Sequence, residues 1–476
     1  MDRQFLSYGI LGSALAAQVS AQGTAATNPE KPNVLFLVVD DLNDWVNYYN
    51  WYKGKVYTPN IDKLASEGVL FTRAYCPVAL CGPCRTAVLT GKYQYSTGIY
   101  RIEQHFRQIP STRDLVTLPQ YFRQNGYFAV GAGKTFHGPN KDNCDRISWD
   151  EYSDHWFGTQ RPPDNEIPHY PIPFKNTYDD IKNSYYGAIK QSLEETGDGY
   201  NAEYIADFLK QKHDKPFFAA YGCFRPHTPW FAPKEFFDLY PLDEIVLPDA
   251  PEGDLDDVPP IGRDVAYQGD YHTFEQIKEL GLWKEYVRGY LACISFADAC
   301  VGRVLDALEK SPYRDNTIIV LWSDHGWHLG EKEHWHKFTL WERGTRTPLI
   351  IKAPGVTPAG KRTADVTNLV DLYPTLIELC GLPPFSQVEG ESLVPVLKNP
   401  DLDRNRATVM SLPWNKDCHS IVDDRFRYIR YSDGTEELYD HKNDRTEFTN
   451  LANNPEYTDV KRRLKKRLLE TVKLSE

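Results

Sequence analysis

Five short segments of the chain are apolar almost throughout: Val34–Val39, Tyr127–Gly131, Phe217–Tyr221, Thr317–Trp322 and Pro348–Lys352. None alternates between apolar and polar positions, and turn residues bound each one. Runs of this kind predict strands buried on both faces, as in a parallel sheet. Between them the period changes to that of helices. Asn60 is placed to cap a helix that stops at Gly68, and Leu118–Asn125 stops at Gly126. The longest predicted helix spans Trp283–Lys310, where Val287, Leu291, Ile294, Val301, Leu305 and Leu308 recur at helical spacing. Strands alternating with helices predict an α/β fold with helices on both faces of the sheet. Ligands in such folds bind outside the carboxyl ends of the strands, so those ends are where chemistry is expected.

The pattern changes between Pro383 and Pro413. Beyond Trp414, short alternating segments (Ser420–Val422, Phe426–Tyr431, Glu436–Tyr439) are separated by turn residues, which predicts antiparallel hairpins. A charged helix, Glu456–Leu474, ends the chain. This divides the sequence into a large domain over 30–400 and a smaller α+β C-terminal subdomain over 401–476. The Pro- and aromatic-rich stretch Cys144–Lys175 lacks periodicity and reads equally as a loop near the site or a surface insertion.

Composition narrows the partners. The 476 residues carry a formal charge of −12, with no basic block and no nucleic-acid-reading motif, so nucleic acid is excluded as an expected partner. Arg3, the apolar stretch Leu6–Ala17 and the small residues Val19 and Ala21 read as a signal peptide over 1–21. No later run is long enough to span a membrane. A secreted or periplasmic protein is therefore expected. No Asn-x-Ser/Thr sequon occurs, which favours a bacterial source over an animal lysosomal one. Nine cysteines are an odd number for an oxidising compartment, and one set aside for special chemistry would leave eight.

The strand ends carry the candidate chemistry. Asp40-Asp41 follows the first run, and Ser323-Asp324-His325-Gly326 follows the fourth. Three carboxylates and an imidazole converging at one sheet edge would repel unless a cation sat among them. The oxygen ligands suit Ca²⁺ or Mg²⁺, while His325 keeps a transition metal open. Between these segments stands Cys81-Gly82-Pro83-Cys84-Arg85, followed by Leu89-Thr90-Gly91. Gly133-Lys134-Thr135-Phe136-His137-Gly138 and Arg225-Pro226-His227-Thr228-Pro229 each follow a predicted strand, and Lys337 lies thirteen residues after Asp324. Singly, each of these residues reads as an ordinary buried histidine, surface lysine or paired cysteine. Their order and spacing together resemble the type I sulfatases, and the branch containing iduronate-2-sulfatase above all. CxPxR with LTG carries the resemblance, which extends over Asn33 to Leu451.

The resemblance implies an alkaline-phosphatase-like catalytic domain, a large mixed sheet between helices, and the hydrolysis of sulfate esters. It implies that Cys81 is oxidised to formylglycine by a formylglycine-generating or anaerobic maturase enzyme. Cys84 stands where serine is usual, but only Cys81 has Pro and Arg at the motif positions. One metal ion, Ca²⁺ before Mg²⁺ or a transition metal, would be held by Asp40, Asp41, Asp324, His325 and the side chain of residue 81. Arg85 would steady the hydrated aldehyde, and Asp324 would assist its deprotonation for attack on sulfur. Lys134 and Lys337 would stabilise the sulfuryl oxygens, His227 would protonate the leaving oxygen, and His137 would expel sulfate from the resulting sulfate hemiacetal. The expected substrate is a sulfated oligo- or polysaccharide, with 2-O-sulfated uronate of a glycosaminoglycan or ulvan-like polymer foremost. Arg225 and His227, two apart on an extended segment, would face one side, so Arg225 is a candidate clamp for a second anion. His419, on the loop before the subdomain's first strand, is a second candidate contact. A phosphodiesterase or phosphonate monoester hydrolase of the same superfamily is the alternative, and a non-catalytic carbohydrate-binding relative a more distant one.

Overall fold

The computed structural model describes residues 31–138, 145–153, 155, 186–266 and 273–473. The expected signal peptide, Cys144 and most of the Pro- and aromatic-rich stretch lie outside these residues. Strand β1 (Asn33–Val39) is at the centre of an eight-stranded sheet. The other strands are β2 (Val69–Phe71), β3 (Phe128–Gly133), β4 (Glu151–Tyr152), β5 (Phe217–Cys223), β6 (Thr317–Ser323), β7 (Leu349–Lys352) and β8 (Lys361–Thr363). Their order is β8-β2-β7-β6-β1-β5-β3-β4. In β1, Val34 pairs with Phe218 on one side and Ile318 on the other, both in parallel register.

Alternate residues of β1 serve two cores, which is why its apolar run is unbroken. Leu35, Leu37 and Val39 pack with the long helix Trp283–Glu309 and with Gly197–Lys210. Val34, Phe36 and Val38 pack on the other face, with α1 (Cys81–Thr90), Leu118–Gln124 and Leu372–Leu379. The predicted α/β layering with helices on both faces is therefore present. The reading of Pro348–Lys352 as a parallel strand needs correction: β7 runs antiparallel to both β6 and β2, which makes the sheet mixed, as the resemblance implied. A strand buried on both faces has the same apolar signature in either direction. Another correction concerns the helix Pro59–Glu67, whose N-cap is Thr58. Asn60 lies inside its first turn and donates from Nδ2 to Asp298 Oδ2 at 2.7 Å.

The C-terminal region is a four-stranded antiparallel sheet: β9 (Thr408–Ser411), β10 (His419–Val422), β11 (Phe426–Arg430) and β12 (Glu436–Asp440). The helix Thr458–Val472 covers one face through Leu464 and Leu468. The other face packs Met410, Val422 and Ile429 against Tyr75 and Trp341 of the large domain. Arg427 fastens this junction: its guanidinium reaches Glu342 at 2.6 Å and Glu447 at 2.7 Å. Among the described residues, no helix is long and apolar enough to cross a membrane.

Candidate active site

Four parallel strands deliver their carboxyl ends to one place. β1 ends in Asp40 and Asp41, the latter with left-handed φ of 59°. That bend is held from behind: Tyr290 Oη donates to Asp41 O at 2.7 Å and accepts from Asn43 N at 2.9 Å. β6 ends in Ser323, followed by Asp324 and His325, and Asp41 N donates to Asp324 Oδ1 at 3.1 Å. β3 leads into Lys134 and β5 towards His227. The ends of β3 and β5 approach so closely that a Cβ on Gly222 would fall 2.1 Å from the carbonyl carbon of Lys134. Only glycine permits that contact.

Cys81 opens α1, after an extended Leu80 whose side chain does not cap the helix. The free amide N–H groups of the first turn and the helix dipole favour an anion there. Cys81 Sγ lies 3.2 Å from His325 Nε2, 3.0 Å from Lys337 Nζ and 3.7 Å from Asp41 Oδ1. It is 1% exposed. Cys84, one turn on, points elsewhere and donates from Sγ to Asp324 O at 2.8 Å. Arg85 is fully buried and binds the cluster together. Its Nε donates to Asp324 Oδ2 at 2.9 Å, its Nη2 to Asp40 Oδ1 at 2.8 Å, and its Nη1 to the Lys134 and Thr135 carbonyls. Lys134 pairs with Asp40, and Lys337 with Asp41 Oδ1 at 2.7 Å. His137 lies against Gly82, with Cγ 3.5 Å from the position a Cβ there would take.

The charges are unequal in their environments. Burial alone would raise Asp40, but Lys134 and Arg85 hold its carboxyl well below the usual range. Asp41 is raised, because burial and the nearby Asp40 outweigh Lys337. Burial, then Lys134, pushes His137 down to about 3. Burial with Lys134 and Lys337 likewise depresses His227. Both histidines are thus neutral as they stand.

The donor set fits a hard divalent cation. Asp41 Oδ2 is buried and has no hydrogen-bond partner. His325 Nδ1 faces Gly326 O at 3.0 Å and would carry its proton there, leaving the lone pair of Nε2 directed at Asp41 Oδ1 (3.3 Å) and Asp324 Oδ1 (3.7 Å). Asp40, Asp41, Cys81 and His227 offer ligand atoms mutually within 4.8 Å, as do Cys81, Asp324 and His325.

Two expected contacts are not brought to this cluster. Arg225 is 1% exposed, and its Nε and Nη1 donate to the carbonyls of Phe231 (2.9 Å) and His227 (3.0 Å). The strand has already ended at Cys223, and a turn closed by His227 N to Phe224 O at 3.0 Å rotates Arg225 inward. His419 is 2% exposed, opens the second strand of its sheet and shares Nδ1 with Ser411 Oγ at 2.7 Å. It supports the sheet and is not on a loop. His328, His334 and His336 are all buried around the segment before Lys337. The sequence reading missed Tyr290, whose helical spacing marks only a core residue. It also missed the ring pair Phe338 and Trp414, of which Phe338 could have been noticed beside Lys337.

The sulfatase family pattern matches residues 32–382, and that of the N-sulphoglucosamine sulphohydrolase C-terminal region matches 330–474. A sulfatase of Formosa agariphila is 38% identical, covering 95% of this chain and 89% of its own. The iduronate 2-sulfatase of Mus musculus is 33% identical, covering 79% and 73%. Among solved structures, one holding its substrate D-glucosamine-2-N,6-O-disulfate aligns with a TM-score of 0.72 at 24% identity, over 93% of this chain and 98% of that one. The phosphonate monoester hydrolase of Agrobacterium radiobacter aligns at 0.74 and 22%, over 93% and 95%. These two likenesses concern the fold.

Proposed function

The chain belongs to the sulfatase family and is a sulfuric ester hydrolase, and from that premise we propose that it removes O-sulfate from a sulfated carbohydrate, with 2-O-sulfated uronate as the preferred unit. The observation that carries this reading is the convergence of Cys81 Sγ, Lys337 Nζ, His325 Nε2 and Asp41 within 3.0–3.7 Å at the start of a helix. Asp40, Asp41, Asp324 and His325 would hold one cation, for which Ca²⁺ suits the oxygen-dominated set best. Bound there, it would draw charge from the sulfate oxygens and acidify a hydroxyl on an oxidised residue 81. Cys81 is the cysteine proposed for that oxidation, by a maturing enzyme acting on the motif, because Cys84 faces a backbone carbonyl instead.

The remaining roles follow from position. Lys134 and Lys337 present ammonium groups to the sulfate oxygens, and Arg85 fixes the carboxylates around them. His227 Nδ1 faces Thr228 O at 2.6 Å, so Nε2, 3.8 Å from Asp41 Oδ2, is the atom that moves a proton to the departing alcohol oxygen. A bound sulfate ester would offset the field of the two lysines, the part of the depression that is not burial, and so make that ring more basic. His137, kept neutral, is the base for the second step. The uronate preference rests on kinship with the iduronate 2-sulfatases, since Arg225 is turned away.

The matured protein, assayed on disaccharides sulfated at single known positions, should release sulfate fastest from a 2-O-sulfated uronate unit. Release only from 6-O- or N-sulfated hexosamine would overturn the preference. The fold is shared with a phosphonate monoester hydrolase, and faster turnover of a phenyl phosphonate than of an aryl sulfate would replace the sulfatase reading.

A further inference from the structure

Two segments far apart in sequence meet beside the site. Trp414 N donates to Tyr100 O at 3.1 Å, which ties the turn before β10 to the loop after α1. Two residues on, Ile102 Cγ1 lies 3.5 Å from the position of a Cβ on Gly82, so this loop borders the first turn of α1 beside Cys81. From the other direction, Lys337 Nζ is 3.0 Å from Cys81 Sγ and 5.8 Å from the Phe338 ring, whose centroid is 4.7 Å from that of Trp414. Three short steps thus join the reacting atom to the indole. Trp414 is 39% exposed, whereas Phe338 behind it is buried. Both residues take left-handed backbone angles, φ 60° for Trp414 and 79° for Phe338. Bulky residues rarely adopt these, and such conformations cluster where a side chain must be aimed for function.

We propose that Trp414, braced by Phe338, is the stacking wall that receives the apolar face of the sugar ring carrying or adjoining the sulfate ester. This deepens the carbohydrate reading above and rests on it. An exposed indole beside a set of charged groups offers the flat apolar surface that a pyranose otherwise lacks there, while the polar set fixes the sulfate. The two rings meet edge to face at 69°, so this pair presents one broad face and does not form two walls of a cage for a quaternary ammonium group. The flanking ammonium of Lys337 also disfavours a cationic ligand.

The test uses the matured enzyme, its Trp414→Ala and Trp414→Leu variants, and a 2-O-sulfated uronate disaccharide prepared from heparin. Inorganic sulfate as competitive inhibitor reports separately on the sulfate pocket. KM for the disaccharide should rise about tenfold in both variants, proportionately more than kcat falls, while the inhibition constant of sulfate stays within about twofold. Trp414→Phe should recover most of the loss. If KM is unchanged in the variants, or if sulfate inhibition weakens in parallel with KM, the stacking role is overturned. If only choline sulfate turnover depends on Trp414, the wall serves a cation and the proposal fails. Absence of turnover of every sulfated saccharide by the parent enzyme would refute the carbohydrate reading itself, an outcome distinct from the others. Trp414→Leu, which keeps apolar bulk without a flat face, separates stacking from mere folding.

Discussion

Replacing Arg85 with alanine removes the one cation that two buried carboxylates share. Asp40 and Asp324 would lose partners at 2.8 and 2.9 Å, and two buried carbonyls would lose donors. Leaving a buried charge without its partner costs about 3–5 kcal/mol, and each orphaned carbonyl about 1–3 kcal/mol. These losses overlap, and Lys134 still faces Asp40, so a net of about 5 kcal/mol is expected. An unfolding entropy near 2.1 cal/mol/K per residue gives roughly 1 kcal/mol/K for a chain of this length, so the melting temperature should fall by about 5 °C. Calorimetry in chelator measures this. Millimolar Ca²⁺ should then raise the melting temperature more in Arg85→Ala than in the parent, because the guanidinium no longer neutralises the same two carboxylates. Arg85→Lys should fall between the two, since one ammonium cannot fork to both carboxylates. An Arg85→Ala protein that melts within 1 °C of the parent in chelator, or gains less from Ca²⁺ than the parent does, would refute this account of the cluster.

Cys81→Ala should abolish sulfate release, whereas Cys84→Ser should be tolerated because a serine hydroxyl can repeat the bond to Asp324 O; turnover and peptide mass spectrometry for an aldehyde at 81 check both. Burial holds His334 and His419 at about 4, below the usual imidazole value near 6.5, so the unfolded chain takes up protons that the folded chain refuses. Stability from these two is complete above pH 6.5 and drains away as pH falls towards 4, by at most about 3 kcal/mol each. His419→Gln should flatten the fall in melting temperature between pH 7 and 5, and an unchanged slope would exclude the contribution. Arg225→Ala should lower kcat alike on carbohydrate and aryl sulfate, because it loosens the His227 turn; a KM rise confined to the carbohydrate would restore the anion clamp.

The buried strands were legible because a strand covered on both faces leaves an unbroken apolar run, and their ends then located Asp40, Asp41, Asp324 and the lysine and histidine segments. Direction was not legible for β7, since burial writes the same run either way. Thr408–Ser411 was missed as a strand because the four residues Thr-Val-Met-Ser are too short a run to show a period of two. Arg225 was misplaced for a simpler reason: period-two reasoning holds only while the backbone is extended, and β5 ends before it. Phe338 and Trp414 meet only in three dimensions, across the junction that Arg427 fastens, and nothing local in either segment announces the partner.

The near-complete burial of Cys81 has a temporal consequence. If a separate enzyme oxidises Cys81 as proposed, it cannot grip CxPxR once α1 is wedged between the sheet and its neighbours, so oxidation and folding would compete for the same chain. Yield of active protein would then be a kinetic quantity: whichever finished first would decide each molecule's fate, and no later encounter would rescue a chain that closed too soon. Substitutions that hasten docking of α1 would produce a stable protein with a lower active fraction. Slower folding, ordinarily a defect, would here enlarge the share of competent molecules.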